Sequence, residues 1–438
     1  MTLFGVIFLT VCLIGLNKPV HFLFGILIFS CVCQGAAVFN IGGFGFPPYI
    51  IAEFFFIFRA MVQKQSVNMQ RQRKGAQILQ VFLVYCILIT LFGPFIFAGI
   101  PVIVPGETSD YDLAEGTIVG HLSFSIKNMA QICFLALNSI TVWCIIKVGS
   151  RISADYIITV FRKVIVFVLV IGFWEWSAKV LQLFDFFPDW FFYCNEGYEQ
   201  LWLQGIRLNS VFLEPSYAGG FLSAALIYLL YRKEKNKILI FLTGLTLCLN
   251  LSGTGLMTVI IVMGINLLKN SKHRLKMILV VAILWGCLMI IGYAVLIEEM
   301  LTNKSTSISG LARMGAVIYS ISLIQSTFFI GVGLGSHRCF SFVTNLLAAV
   351  GLFGFTMFFY FIKTQITGIL RYGNKEYKAF VVFGLTLFIA QCLALPDLSF
   401  PVMWMWIFIV TAINCNKLRA PIRVITKGNG VYSHTGRY

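Results

Sequence analysis

Residues 207–223 read RLNSVFLEPSYAGGFLS and join an aromatic, wet loop to an apolar helix. Pro215 suits the first turn of that helix, where its missing N–H is an orphan in any case. Glu214 then falls at the positive end of the helix dipole. Arg207 and Glu214 both sit where a membrane edge would lie, and a charge there is costly unless it has a task. Two readings stand on this local chemistry: a well-capped helix start, or a catalytic carboxylate with a phosphate-binding arginine beside it.

The surrounding chain sets the solvent. Its 438 residues are 59% hydrophobic and only 11% charged, with a mean hydropathy of +0.88. That excludes a soluble globular protein and gives an all-α, polytopic integral membrane protein. No long polar block interrupts the apolar runs, so residues 1–438 form a single transmembrane domain with no soluble catalytic domain attached. The N-terminal run Leu3–Leu16 has no basic residue before it and no small-residue cleavage site, which predicts a retained span rather than a cleaved signal.

Apolar segments fall at 3–16, 20–38, 46–62, 77–100, 128–148, 164–184, 215–231, 238–252, 254–268, 277–296, 341–362, 378–395 and 400–415, predicting 11 to 13 spans. The net charge of +16 is parcelled among short loops, a pattern of membrane topology rather than of nucleic-acid binding. Loops 59–74, 147–163, 232–237, 269–276 and 363–378 and a basic tail over 416–438 hold 26 of the 33 Lys and Arg. Every second loop is basic, so these are the cytoplasmic ones, and the C-terminus lies with them. The tail also offers charge to anionic membrane lipids.

The opposite side is acidic and carries two large outer loops, about 185–214 and 297–340. Arg207, Arg313 and Arg338 are basic residues on that wrong side. An arginine that topology does not explain calls for an anionic partner, a nearby carboxylate or a ligand phosphate. Most rings of the first loop read as an interfacial aromatic belt, with a few free to stack on sugar faces. The middle of the second, Leu311 to Ile330, reads as a re-entrant or interfacial helix.

Weaker signals elsewhere each have a bland reading beside the functional one. GVGLGS at Gly331–Ser336 lacks the strand and the Lys-Ser/Thr ending of a nucleotide loop, but its glycines permit a turn with backbone N–H groups offered to an anion next to Arg338. Asp110-Tyr111-Asp112 has the spacing of a sugar-transferase metal pair, a match any acidic loop produces. The five histidines show no ligand spacing, so neither a metal nor another cofactor is expected, and His337 is a secondary candidate acid or base. Glu53 and Glu175 are carboxylates in or near spans, Glu175 with Lys179 one helical turn on. The twelve cysteines read as small buried hydrophobes, with Cys194 and Cys339 on the outer side open to pairing.

Three of these places together resemble the Wzy group of O-antigen and capsular polysaccharide repeat-unit polymerases, which share a membrane fold with the O-antigen ligases. They are Arg207 followed by F-L-E-P-S-Y (Phe212–Tyr217), Arg313 early in the second large loop, and GVGLGSHR with Ser341 and then LLAAVGLFG (Leu346–Gly354). The ligases' His-Asn pair ahead of the last glycine-rich helix is absent, which favours the polymerase over the ligase. A flippase or other transporter is the reading from another class; no internal hydropathy repeat supports it.

The resemblance implies a GT-C-like polymerase/ligase fold and metal-independent glycosyl transfer on the outer face of the bacterial cytoplasmic membrane. Donor and acceptor would be undecaprenyl-diphosphate-linked oligosaccharides, with a chain-length regulator and a flippase in the same pathway. Arg207, Arg313 and Arg338 would stabilise the diphosphate leaving group. Glu214, its pKa raised by partial desolvation, would take the acceptor's proton, or else brace an arginine. Ser216, Tyr217, Ser336, His337 and Ser341 would bind substrate.

Overall fold

The computed structural model describes residues 1–42, 44–64, 70–104, 108–195, 205–269 and 308–417. The expected span at 277–296, the start of the second large loop, part of the first, and the tail beyond 417 lie outside the described residues. The architecture is helical. In chain order the helices are α1 (Leu3–Leu16), α2 (Val20–Ser30), α3 (Pro48–Val62), α4 (Gln70–Ile96), α5 (Asp110–Glu115), α6 (Ile126–Val148), α7 (Ala154–Leu181) and α8 (Asp189–Phe192). They continue with α9 (Pro215–Tyr231), α10 (Lys237–Asn250), α11 (Gly253–Lys269), α12 (Ile308–Ser326), α13 (Phe342–Tyr372), α14 (Lys375–Ala394) and α15 (Pro401–Lys417).

Among the described residues, helices α4, α6, α7, α13 and α14 are long and apolar enough to cross a membrane, and five shorter apolar helices accompany them. Their outward faces are apolar too, as Val81, Val84 and Leu88 on α4 illustrate. Such faces suit a surface that lipid rather than water covers. At the centre stands α15. Its sequence PVMWMWIFIVTAINC is apolar on every side, and Val402 through Ile413 are all nearly or fully buried. A helix apolar all round belongs in the middle of a bundle, and α15 packs against α6, α7, α13 and α14. Trp406 donates its indole N–H to Phe380 O of α14 at 2.8 Å. Gly384 permits that approach, since a Cβ there would lie 1.9 Å from the Trp406 ring.

The basic loops gather at one end. Lys147 Nζ donates to Met61 O at 2.7 Å, Arg151 to Lys64 O at 3.2 Å, and Arg232 pairs with Glu376 at 2.6 Å. At the opposite, acidic end the loops after α2, α4, α7, α12 and α14 meet: Gly35 N–H donates to Val211 O, Arg338 N–H to Ile103 O, and Asn345 Nδ2 to Pro396 O.

Two features depart from the sequence reading. A two-stranded antiparallel ribbon, β1 (Asn40–Ile41) with β2 (Phe44–Gly45), turns the chain between α2 and α3, a small exception to an all-α chain. The segment expected over 341–362 is a longer helix that breaks at Gly351, where φ is 63° and ψ is −175°. That conformation is essentially reserved for glycine. The break orphans carbonyls that the turn after α12 satisfies: Val332 N–H donates to Ala348 O at 2.9 Å and Gly333 N–H to Ala349 O at 2.8 Å. Leu352 N–H returns a bond to Phe329 O at 2.8 Å. Loop and broken helix therefore complete each other's backbone pairing.

A Cβ at Gly351 would lie 2.2 Å from Ile330 O, whereas at Gly264 it would meet nothing within 4 Å. Gly351→Ala is expected to destabilise the protein by more than about 2 kcal/mol. Gly264→Ala, inside α11, should be neutral or stabilising by up to about 1 kcal/mol. Thermal unfolding of both variants in detergent checks the contrast.

Candidate functional site

The turn that presents Arg207 is held by two charges on α7. Lys179 Nζ lies 2.7 Å from Glu175 Oε1, and both side chains are buried. The ammonium also donates to Arg207 O at 2.6 Å. Glu175 Oε2 accepts Asn209 N–H at 2.9 Å and Ser210 N–H at 2.6 Å. The carboxylate gathers backbone donors and the ammonium a backbone acceptor, so neither charge is left bare. Ser210 takes a positive φ of 57°. Its hydroxyl donates to Val168 O at 2.7 Å, the Tyr193 hydroxyl donates to its carbonyl, and Asn250 Nδ2 donates to Leu208 O. The pairing expected of Glu175 and Lys179 thus has a definite object, the backbone of residues 207–210.

From this clamp Arg207 emerges half-buried, its Nε without a hydrogen-bond partner among the described residues. Burial pulls its pKa below the ordinary guanidinium value, the Glu214 charge opposes that shift, and the Arg313 charge adds to it. Arg207, Glu214 and Arg313 therefore share one electrostatic neighbourhood, though they come from a loop, a helix start and another helix.

Glu214 is the N-cap residue of α9 by position, yet its side chain makes no capping bond to the helix. Its Oε2 instead accepts the Ser216 hydroxyl at 2.9 Å. The helix thus starts at Pro215 with Glu214 at its N-cap, as the bland reading has it, but without a capping bond from the carboxylate. Arg313, exposed on α12, places its guanidinium carbon 5.6 Å from the Phe340 ring centroid, two residues past Arg338. Arg338 Nη2 meets Asp397 Oδ2 at 3.1 Å, both half-exposed, a pairing typically worth about 0–1 kcal/mol and easily exchanged for a ligand.

Beside this cluster lies a cavity of about 1020 Å³, lined in part by Lys127, Leu213, Tyr217, His337, Arg338 and Asp397. Leu213 and Tyr217 lie to either side of Glu214 in sequence, which brings the start of α9 to the cavity's edge. Tyr217 stands edge-on to Phe400, ring centroids 5.5 Å apart.

The remaining expectations divide. Several of the glycine turn's amides are already committed within the protein. The N–H groups of Val332 and Gly333 go to α13, that of Leu334 to Thr90 Oγ1, that of Ser336 to Gly333 O and that of Arg338 to Ile103 O. Ser336 is buried and accepts Asn128 Nδ2 at 2.7 Å, a structural bond. Ser341 is the N-cap of α13, with its carbonyl taking Asn345 N–H at 2.9 Å. His337 is 4% exposed; its Nδ1 accepts Ile103 N–H at 3.2 Å and its Nε2 lies 2.8 Å from Ser320 Oγ. An Nδ1 that accepts carries no proton, and burial pushes the imidazole pKa down to about 4. His337 is a neutral strut between the loop and α12 rather than an acid or base.

Asp112 accepts Ser109 N–H at 2.9 Å and the Ser109 hydroxyl at 2.7 Å, closing a capping box on α5. Those bonds lower its pKa and give Asp112 a structural task. Cys194 Sγ contacts the Ala37 backbone, while Cys339 Sγ contacts the Thr344 hydroxyl, so the two face different neighbours. The aromatic loop packs largely on itself: Phe187 is buried among Trp174 at 5.6 Å and Phe192 at 5.5 Å. Lys127, another basic residue on the acidic side, joins the cavity wall although the sequence reading gave it no role. No family model matches the chain, and no curated protein does either.

Glu175→Ala should lower stability by about 3–5 kcal/mol, because it leaves a buried ammonium and two amides unpaired. Unfolding in detergent measures that loss. For His337 the folded pKa near 4 lies below the unfolded value of about 6.5. Its contribution is complete above the unfolded value and is lost as pH falls, by about 1.4 kcal/mol per unit between those limits. Subtracting the stability profile of His337→Asn from that of the wild type should isolate this slope.

Proposed function

We propose that the chain is a polysaccharide polymerase. It joins undecaprenyl-diphosphate-linked oligosaccharide repeat units, working as a metal-independent glycosyltransferase of about 11–13 spans with a GT-C-like polymerase/ligase fold. The acidic end faces the periplasm or cell exterior and the basic end the cytoplasm, following the positive-inside distribution. The observation that carries this reading is the electrostatic neighbourhood that Arg207 shares with Arg313 and Glu214, close to a large cavity that Leu213, Tyr217 and Arg338 help to line.

The chemistry follows from those groups. As the anomeric C1–O bond breaks, its electron pair leaves with the lipid diphosphate, and negative charge grows on the phosphate oxygens. Two fixed guanidiniums in a partly desolvated site stabilise that charge without reorganising. Arg207 arrives with an unpartnered Nε and a turn that cannot shift; Arg313 supplies the second charge from α12. An acceptor hydroxyl gives its proton to the Glu214 carboxylate and bonds to C1. Holding hydroxyl and anomeric carbon together supplies much of the remaining rate. Arg338, paired with Asp397 in a half-exposed bridge on the cavity wall, can turn to a phosphate or a sugar carboxylate.

The test is the ladder of surface glycan lengths in a deletion strain complemented with wild type, Arg207→Ala, Glu214→Gln or Arg313→Ala, with membrane levels of each checked. The expected outcome is single repeat units on the final acceptor in the deletion and in all three variants, and a full ladder with wild type. Full-length glycan accumulating on the lipid carrier would make the chain a ligase. Single units held on the carrier at the cytoplasmic face would make it a flippase.

A further inference from the structure

Glycosyl transfer needs two substrates, and the arginine cluster provides only for the diphosphate of one. The adjoining cavity has a different chemistry. Aromatic rings from four separate segments, Tyr49, Phe134, Tyr217 and Phe400, contribute to its wall, together with the side-chain amides of Gln34 and Gln131. Ring faces suit the C–H surfaces of pyranoses, and planar amides suit their hydroxyls. The charged members are Lys127, Arg338 and Asp397.

Gln34 is the most telling of the wall residues. It is 8% exposed, and its Nε2 has no hydrogen-bond partner among the described residues. A buried donor left unmade is costly, and a small turn of the Gln34 side chain, which lines the cavity, would bring that donor to a bound acceptor oxygen. A lipid chain in the same place would leave that amide unsatisfied. The volume of about 1020 Å³ is at the top of the roughly 300–1,000 Å³ range that holds small organic ligands, which gives room for a short oligosaccharide. Tyr217 lies three residues past Glu214 in the first turn of α9, close enough along the chain for one bound glycan to span both residues.

On the proposed reading of the reaction, we infer that this cavity is the seat of the acceptor glycan. Gln34 donates to a sugar oxygen, Tyr217 stacks on the terminal sugar, and the terminal hydroxyl faces Glu214. In the transfer the hydroxyl O–H breaks as its oxygen bonds to C1, the proton passes to the Glu214 carboxylate, and the electron pair of the broken C1–O bond leaves with the diphosphate. Diphosphate and acceptor sugars thus bind to separate walls, Arg207 with Arg313 for the first and Gln34 with Tyr217 for the second.

The experiment uses full-length protein in nanodiscs and two probes: undecaprenyl diphosphate, and the repeat-unit oligosaccharide released from the host strain's own lipid carrier by mild acid. Binding of each to wild type, Gln34→Leu, Tyr217→Ala and Arg207→Gln is measured by calorimetry, with thermal unfolding confirming that every variant is folded. Gln34→Leu and Tyr217→Ala should each weaken oligosaccharide binding tenfold or more and leave undecaprenyl diphosphate within twofold; Arg207→Gln should do the reverse. Unchanged oligosaccharide affinity in both cavity variants, no oligosaccharide binding to the wild type, or a loss confined to undecaprenyl diphosphate overturns the inference. The same preparations, given lipid-linked repeat units, report glycosidic bond formation. Oligosaccharide bound through Gln34 without any bond formation would sink the polymerase reading and leave the glycan site standing.

Discussion

The acidic end of the molecule depends on one buried ion pair. Glu175 and Lys179 sit on the same face of α7, a turn apart, and divide the backbone of residues 207–210 between them. A carboxylate and an ammonium buried this deeply would be a liability if each had only the other. Their remaining capacity is absorbed by a turn with no helix of its own, in which Ser210 takes a left-handed conformation. The pair gives that turn a single conformation and leads directly into Phe212, Glu214 and the start of α9. Arg207 is fixed because its carbonyl is fixed.

A second constraint positions the other wall. Breaking α13 at Gly351 exposes carbonyls that only another backbone can satisfy in a crowded interior, and the turn over residues 329–333 does so. His337 ties that turn to α12 through Ser320 and to the loop after α4 through Ile103. Arg313 on α12 and Arg338 in the loop are thereby held in relation to each other. Two supports, one from α7 and one from the broken helix, hold the elements that carry charges from distant parts of the chain into one electrostatic neighbourhood. Electrostatic catalysis works through such fixed groups, because charges that need not move pay nothing at the moment of bond breaking.

Much of this was legible in the sequence, and the reason is dilution. In a chain only 11% charged, a basic residue on the acidic side stands out, so Arg207, Arg313 and Arg338 could be singled out without any structure. Glu214 could be flagged for the same reason, but its orientation could not. Position before Pro215 predicts a cap, whereas the carboxylate turns to Ser216. The glycines of 331–336 were visible as a turn, yet sequence does not say where backbone N–H groups go, and theirs go to α13 and Thr90. LLAAVGLFG reads as an uninterrupted apolar helix because a glycine at positive φ looks like any other. Gln34 carried no signal, since an amide near a span end is usually solvated; only the assembled cavity wall shows it buried.

The central claim is that Arg207 and Arg313 act together on a diphosphate. Its most direct measurement is a double-mutant cycle on undecaprenyl diphosphate affinity, comparing Arg207→Gln, Arg313→Gln and the double variant with the wild type in nanodiscs. Two guanidiniums sharing one ligand should each lose affinity tenfold or more, with losses that are not additive. Affinity unchanged in either single variant, or losses that add independently, would contradict a shared diphosphate site.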